Sequence, residues 1–273
     1  MTTTTQAAPS TANRLRGSAR RIGALSRAEA LLLRRNPIAL LNALGTPLVG
    51  VVLLNASAQN GSLPMPGASV VVALTAFALL FAVYYNLVAS LVARREDLVL
   101  KRLRSGEAGD VEILIGAATP AMAIAWGQTI VGVGAAVVVF GMGTPANPIL
   151  VVAAVLLGTA VFVLLAAAST AMTRSVEMAQ LSTLPVVAVS MALGGLFPAD
   201  ALPGPLLWVA QALPLTRVVD LMWLGLTGTT RDGSSVGDGA SVGGIAAALL
   251  VLAAWVVAGV LAWRRFMRWE PRR

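Results

Sequence analysis

The chain has 273 residues and is 57% hydrophobic but only 12% charged, with a mean hydropathy of +0.81 and a formal net charge of +8. Soluble domains are about 45–50% apolar and about 25% charged, so this composition fits a protein whose solvent is largely lipid. Cysteine and histidine are both absent, which excludes disulfides and thiolate metal sites and removes the usual general base and zinc ligand.

Residues 1–25 read as a disordered basic cytoplasmic tail. The Thr-, Ala- and Pro-containing start has no apolar periodicity, and Arg14, Arg16, Arg20, Arg21 and Arg27 follow it. Ser26-Arg27-Ala28-Glu29 fits a capping box, and Ala28, Leu31 and Leu32 follow at helical spacing. This predicts a short amphipathic helix in the membrane interface, ending before Pro37; a cytoplasmic extension of the first span is the alternative.

Six apolar runs follow: residues 38–56, 69–93, 117–140, 149–171, 179–197 and 243–263. Each is close to the ~20 residues that cross a bilayer as a helix. None contains a charge, while Pro47 and Pro185 lie inside the first and fifth. Ala56-Ser57-Ala58 looks like a signal-peptide cleavage site, but the segment before it is too long, so the first run is read as an uncleaved span. Residues 26–268 are expected to form one domain, followed by a short cytoplasmic tail, 269–273. The expected fold class is an all-α integral membrane protein.

Eighteen of the 20 Lys and Arg residues fall before span one, between spans two and three, between spans four and five, or after span six. The other face holds only Arg217 and Arg231, with Asp200, Asp220, Asp232 and Asp238. The positive-inside rule therefore places both termini in the cytoplasm. The run Leu202–Leu226 is apolar but broken by Pro203, Pro205 and Pro214, and it carries Arg217 and Asp220. A further span there would put the C-terminal arginines outside. Short extracellular or re-entrant helices around Pro198, Pro203 and Pro214 fit better, with Arg217 and Asp220 placed to pair. Residues 227–243 are rich in Gly, Ser, Thr and Asp and read as an exposed loop. No long internal repeat of the kind found in many secondary transporters is evident.

Catalytic patterns are missing. There is no Ser/His or Cys/His pair, no H-E-x-x-H and no carboxylate pair within a span. The single lysine, Lys101, is followed by Arg102, so no phosphate-binding G-x-x-x-x-G-K-[ST] loop exists here. Ion-driven carriers usually hold an ionisable group within the membrane, and these spans hold none. Asn42, Tyr84, Tyr85, Asn86 and Gln128 are candidates for a substrate path, with hydrogen bonding between helices as the alternative role. Nucleic-acid binding is disfavoured, because the basic residues are interleaved with spans and read as topology signals and anionic-lipid contacts.

The loop Arg94–Glu112 reads RREDLVLKRLRSGEAGDVE. Leu98, Leu100 and Leu103 among alternating charges suit a short helix across the inner face, able to dock into a groove on a soluble partner; a solvated charged loop is the alternative. At this loop the sequence resembles permease subunits of the type-2 ABC exporters, whose second span is followed by an R-E-R-G-T-L-K-R-L-R-like motif. Arg95-Glu96 and Leu100-Lys101-Arg102-Leu103-Arg104 match, while Asp97-Leu98-Val99 replaces Arg-Gly-Thr. Leu184-Pro185, Gly194-Gly195-Leu196-Phe197-Pro198 and Leu202-Pro203 are similar to an L-P…S-G-x-F-F-P…L-P signature, with Gly194 for the serine. Leu213-Pro214-Leu215-Thr216-Arg217-Val218-Val219-Asp220 is similar to N-P-L-T-Y-x-x-D.

The resemblance implies a dimer of permeases (two copies, or a copy and a homologue) in a bacterial plasma membrane, served by two separate ATPase subunits that bind ATP and Mg. The chain itself would hold no cofactor and no metal. Leu98 and Leu103 would be apolar anchors for the ATPase. Arg95, Glu96, Lys101, Arg102, Arg104 and Glu107 would make polar contacts, with a lesser contact from Arg174 and Glu177. The cargo would be a small apolar or amphipathic molecule, such as a drug, an antibiotic or a lipid. A non-transporting immunity or binding protein and an ion-coupled carrier are the alternatives.

Overall fold

The computed structural model describes residues 11–35, 37, 38, 41, 65–99, 103, 109–173, 175–196, 203–231 and 239–266. These residues are almost entirely helical and include no strand. In chain order the helices are α1 (Thr11–Arg35), α2 (Pro66–Glu96), α3 (Asp110–Phe140), α4 (Pro148–Thr170), α5 (Val176–Leu193), α6 (Gly204–Ala212), α7 (Pro214–Thr227) and α8 (Gly239–Phe266). Five of them, α2, α3, α4, α5 and α8, are long and apolar enough to cross a membrane. They coincide with the expected spans two to six to within a few residues, except that α3 begins earlier. The expected first span, 38–56, lies outside the described residues apart from its edge.

The N-terminus departs from expectation. Residues 11–25, expected as a disordered tail, belong to α1, and the Ser26 capping box falls within that helix and starts nothing. The helix is carried by packing. Leu25 lies against Gly116 of α3, and the Arg21 guanidinium donates two hydrogen bonds to Glu112 at 2.7 and 2.8 Å. Tertiary contact of one helical face outweighs local propensity in setting where such a helix begins.

The core is built around α2. In its most apolar stretch 83% of residues are buried, against 22% in α3 and 17% in α8, so α2 is the central helix and the others surround it. Leu79, Leu80, Val83, Leu87, Val88 and Leu91 form its packed face. Lipid tails are as apolar as these side chains, so burial alone does not favour helix association; close fit and interhelical hydrogen bonds do. Thr75 of α2 meets Thr129 of α3 hydroxyl to hydroxyl at 3.1 Å, and the Trp126 indole of α3 donates to Thr159 of α4 at 3.0 Å. At Gly225 of α7 an added Cβ would lie 2.9 Å from the Val151 amide nitrogen and 3.1 Å from the Asn147 carbonyl, so hydrogen is the only side chain that allows α7 this close to α4. The Asn147 amide donates to the Gly225 carbonyl at 2.8 Å across the same contact.

Local signals fix the helix ends. Asn147 and Ser175 accept hydrogen bonds from the first-turn amides of Leu150 and Met178. Gly141 and Gly228 take left-handed φ where α3 and α7 end. Between α6 and α7 the axis turns by 81°. Leu213 sits at the break with φ −74° and ψ 140°, the extended form imposed on a residue preceding proline. The indole of Trp255 in α8 donates to the Ala212 carbonyl at 2.8 Å and so ties the last span to this corner. The expected break in this segment is present as a bent helix pair, which has the form of a broken span or of a re-entrant loop; counted as one span, it would be a sixth apolar crossing among the described residues.

Within α2, residues Ala78–Tyr85 are π-helical. The Asn86 amide reaches the Phe81 carbonyl, five residues back, as well as that of Val83. Nothing in the sequence pattern announces this segment, because apolar residues surround it on every face of α2.

Candidate functional site

The α2 helix delivers the loop singled out by sequence. Glu96 ends the helix, the Asp97 amide closes on the Ala93 carbonyl at 3.0 Å, and Leu98 takes φ +58° while its amide donates to the Arg95 carbonyl at 3.2 Å. A left-handed residue after the last turn is an ordinary helix stop when it is glycine. Leu98 stands where the resembling motif has glycine, and it adopts a glycine-like conformation at a steric cost of roughly 1–2 kcal/mol. Glu96, Asp97, Leu98 and Val99 are all exposed beyond this stop, whereas Leu103 is half-buried and packs against the core. Lys101, Arg102, Arg104 and Glu107 lie outside the described residues.

Arg95 overturns its expected role as a surface contact. Its side chain is 1% exposed. One terminal nitrogen donates to the Thr170 carbonyl at 2.6 Å, and the other donates to the Thr173 carbonyl. These carbonyls lie at and just beyond the C-terminal turn of α4, where backbone acceptors lack helical partners and the helix dipole favours a cation. Side chains on a helix lean toward its N-terminus, so an arginine in the last turn of α2 reaches back over the end of its neighbour. Glu177, in the first turn of α5, is exposed; Arg174 lies outside the described residues.

The candidate path residues separate. Tyr84 is fully buried, sits edge-on to Phe162 with ring centroids 6.4 Å apart, and pairs its hydroxyl with Ser169 at 3.0 Å. It serves packing between α2 and α4. Tyr85, Asn86 and Gln128 are half-buried, and Asn42 lies outside the described residues.

A second polar cluster joins the bent pair to its surroundings. Arg217 donates to the Gln211 carbonyl at 2.7 Å and to Asp220 at 3.3 Å, which is the expected pair; Arg231 approaches the other Asp220 oxygen at 3.8 Å. Gly195 has φ +81°, and a Cβ there would meet the Arg231 guanidinium at 2.7 Å. Pro203 caps α6 and Pro214 opens α7, both at positions where a missing amide hydrogen costs nothing. Pro198 lies outside the described residues.

Sequence reasoning missed Ser169, Thr170 and Thr173 as partners of α2, and Arg231 and Trp255 as ties on the bent pair. The signal for the first group was faint: a Ser-Thr pair ending an otherwise apolar run. An indole in the middle of the apolar α8 carried none.

The family model for the ABC-2 type transporter matches residues 20–226, well over half of the chain. No curated protein matches it. The matched range takes in α1 from Arg20 onward, the α2 stop with Arg95 and Leu98, and the bent pair as far as Leu226. On that match, and on the helical membrane architecture that accompanies it, the chain belongs to the ABC-2 type transporter family as a permease-type membrane domain.

Proposed function

We propose that this permease subunit exports an apolar or amphipathic molecule, such as a drug, an antibiotic or a lipid, from the cytoplasm or inner leaflet of a bacterial plasma membrane. Two separate ATPase subunits supply the energy, and a second permease copy or homologue completes the complex. Both termini lie in the cytoplasm. The segment after α2 receives the ATPase: Leu98 enters its groove, Leu103 seats the segment on the permease core, and Glu96, Lys101, Arg102, Arg104 and Glu107 make the polar contacts. Arg174 and Glu177 add a smaller contact. Closure of the ATPase pair on ATP pushes this segment, and the permeases pass from inward to outward access.

The observation that supports this reading is the stop at the end of α2, where an exposed leucine is held in a conformation that suits glycine. Strain of that kind persists where the surrounding structure enforces it and often marks a functional turn. The six apolar runs of the sequence contain no Asp, Glu, Lys or Arg of the kind that couples an ion gradient.

The test is co-expression with the neighbouring ATPase and reconstitution in vesicles. ATP-dependent export should be lost when Glu96 and Arg102 are both changed to alanine, with the complex still assembled in the membrane. Export at the parent rate in that double variant removes the assignment of this segment. Export without any ATPase favours an ion-coupled carrier instead.

A further inference from the structure

We propose that Arg95 is a positioning residue that makes the two cytoplasmic turns of the permease, the one after α2 and the one between α4 and α5, move as one body. The role in transport rests on the reading above; the mechanical link does not.

The geometry is a closed circuit between α2 and the end of α4. Arg95 reaches back to the carbonyls of Thr170 and Thr173. From higher on the same helix, Tyr84 reaches Ser169 through a 3.0 Å hydroxyl contact. Two side chains of α2 thus grip one short stretch, residues 169–173, from both directions. The circuit extends into α5, because the Thr173 hydroxyl meets that of Ser182 at 2.9 Å. The Arg95 carbonyl, for its part, holds the amide of Leu98 in the turn that launches the exposed segment. One residue therefore joins the turn at Leu98 through its backbone and the turn at Thr173 through its side chain.

A planar guanidinium suits this task. Its two terminal nitrogens are fixed relative to each other and bridge two carbonyls at once, whereas a lysine presents a point charge on a flexible stem. Because the guanidinium is shielded from water, opening the link would break two charge-assisted hydrogen bonds without water to replace them, so it resists opening under load. A push on residues 97–99 is then passed to α4 and α5 instead of being taken up by bending of α2.

The chain has no native cysteine, so spin labels can be placed at will. With labels at Asp97 and Glu177, the full-length protein in lipid nanodiscs should give a narrow distance distribution. Arg95→Met should at least double its width, and Arg95→Lys should lie between. A control pair at Ile149 and Trp208, both exposed and remote from the link, should keep its width in every variant. An unchanged 97–177 width in Arg95→Met overturns the proposal, as does equal broadening of the control pair, which reports general loosening. If Arg95→Met does not fold, Arg95→Lys decides by the same measure. In the complex with the ATPase, Arg95→Met should keep ATP hydrolysis while export falls at least tenfold. Export that matches the parent despite a doubled width rejects the role in transport and leaves the link standing.

Discussion

Arg21 and Glu112, ninety-one residues apart in the chain, meet in a two-pronged ion pair at 2.7 and 2.8 Å that fastens α1 to the start of α3. The Glu112 carboxylate also accepts from the Gly109 amide at 3.3 Å, so one side chain both caps α3 and holds α1.

Glu112→Gln should therefore loosen α1 without unfolding the spans. The pair is partly exposed, so its contribution is about 0.5–1 kcal/mol and falls with added salt. Hydrogen exchange should report several-fold faster exchange of α1 amides in the variant, with those of α2 and α4 unchanged.

Leu98→Gly should stabilise the protein, an unusual direction for loss of a leucine. Relief of the left-handed backbone returns up to about 1 kcal/mol. Leu98→Val should do the opposite, since a β-branched residue fits this region worse than leucine. Thermal unfolding in detergent, with the two variants measured side by side, checks the sign. If Leu98 also anchors the ATPase, Leu98→Gly should weaken complex formation while raising the melting temperature.

Gly225→Ala should be costly for so small a change. The added methyl meets backbone atoms of Asn147 and Val151, which cannot rotate away, so α7 must shift from α4. A destabilisation of about 1–3 kcal/mol is expected, the range for overpacking a close contact. Thermal unfolding measures it, and Ala at Gly134, where no atom lies within 4 Å, should have little effect.

Trp255→Phe keeps the ring but loses the hydrogen bond to the Ala212 carbonyl. Interhelical hydrogen bonds in membranes contribute about 0.6 kcal/mol on average and up to about 2 kcal/mol. The stability loss should fall in that range. Faster hydrogen exchange of the α6 and α7 amides beside the corner, with those at the cytoplasmic turns unchanged, would localise the effect.

The spans were legible because the bilayer demands long uncharged helices, and the bent pair because proline acts on its immediate neighbours. The pairing of Arg217 with Asp220 was legible too, since three residues on a helix is a contact distance. The start of α1 was not, because its helical state depends on Glu112 and Gly116, far away in sequence. Arg95 was misread for a similar reason. Adjacent Arg94 and Arg95 look alike as charges in a basic loop, and only the fold shows that one of them is turned inward onto the end of α4. The π-helical segment left no pattern, since a uniformly apolar helix gives periodicity nothing to mark.

That segment sets the azimuth of everything that follows it in α2. An α-helix advances about 100° per residue, so a one-residue change of pitch rotates the downstream half by roughly that angle. Deleting a single residue within Ala78–Tyr85 would leave hydropathy and length nearly intact. The wide turns could then close to ordinary α-helical pitch and keep Arg95 turned toward Thr170, whereas the same deletion between Asn86 and Arg94 would swing Arg95 away by about 100°. The wide turns of α2 thus act as a phase buffer, and the cytoplasmic turns tolerate a lost residue in that stretch better than one lost below it.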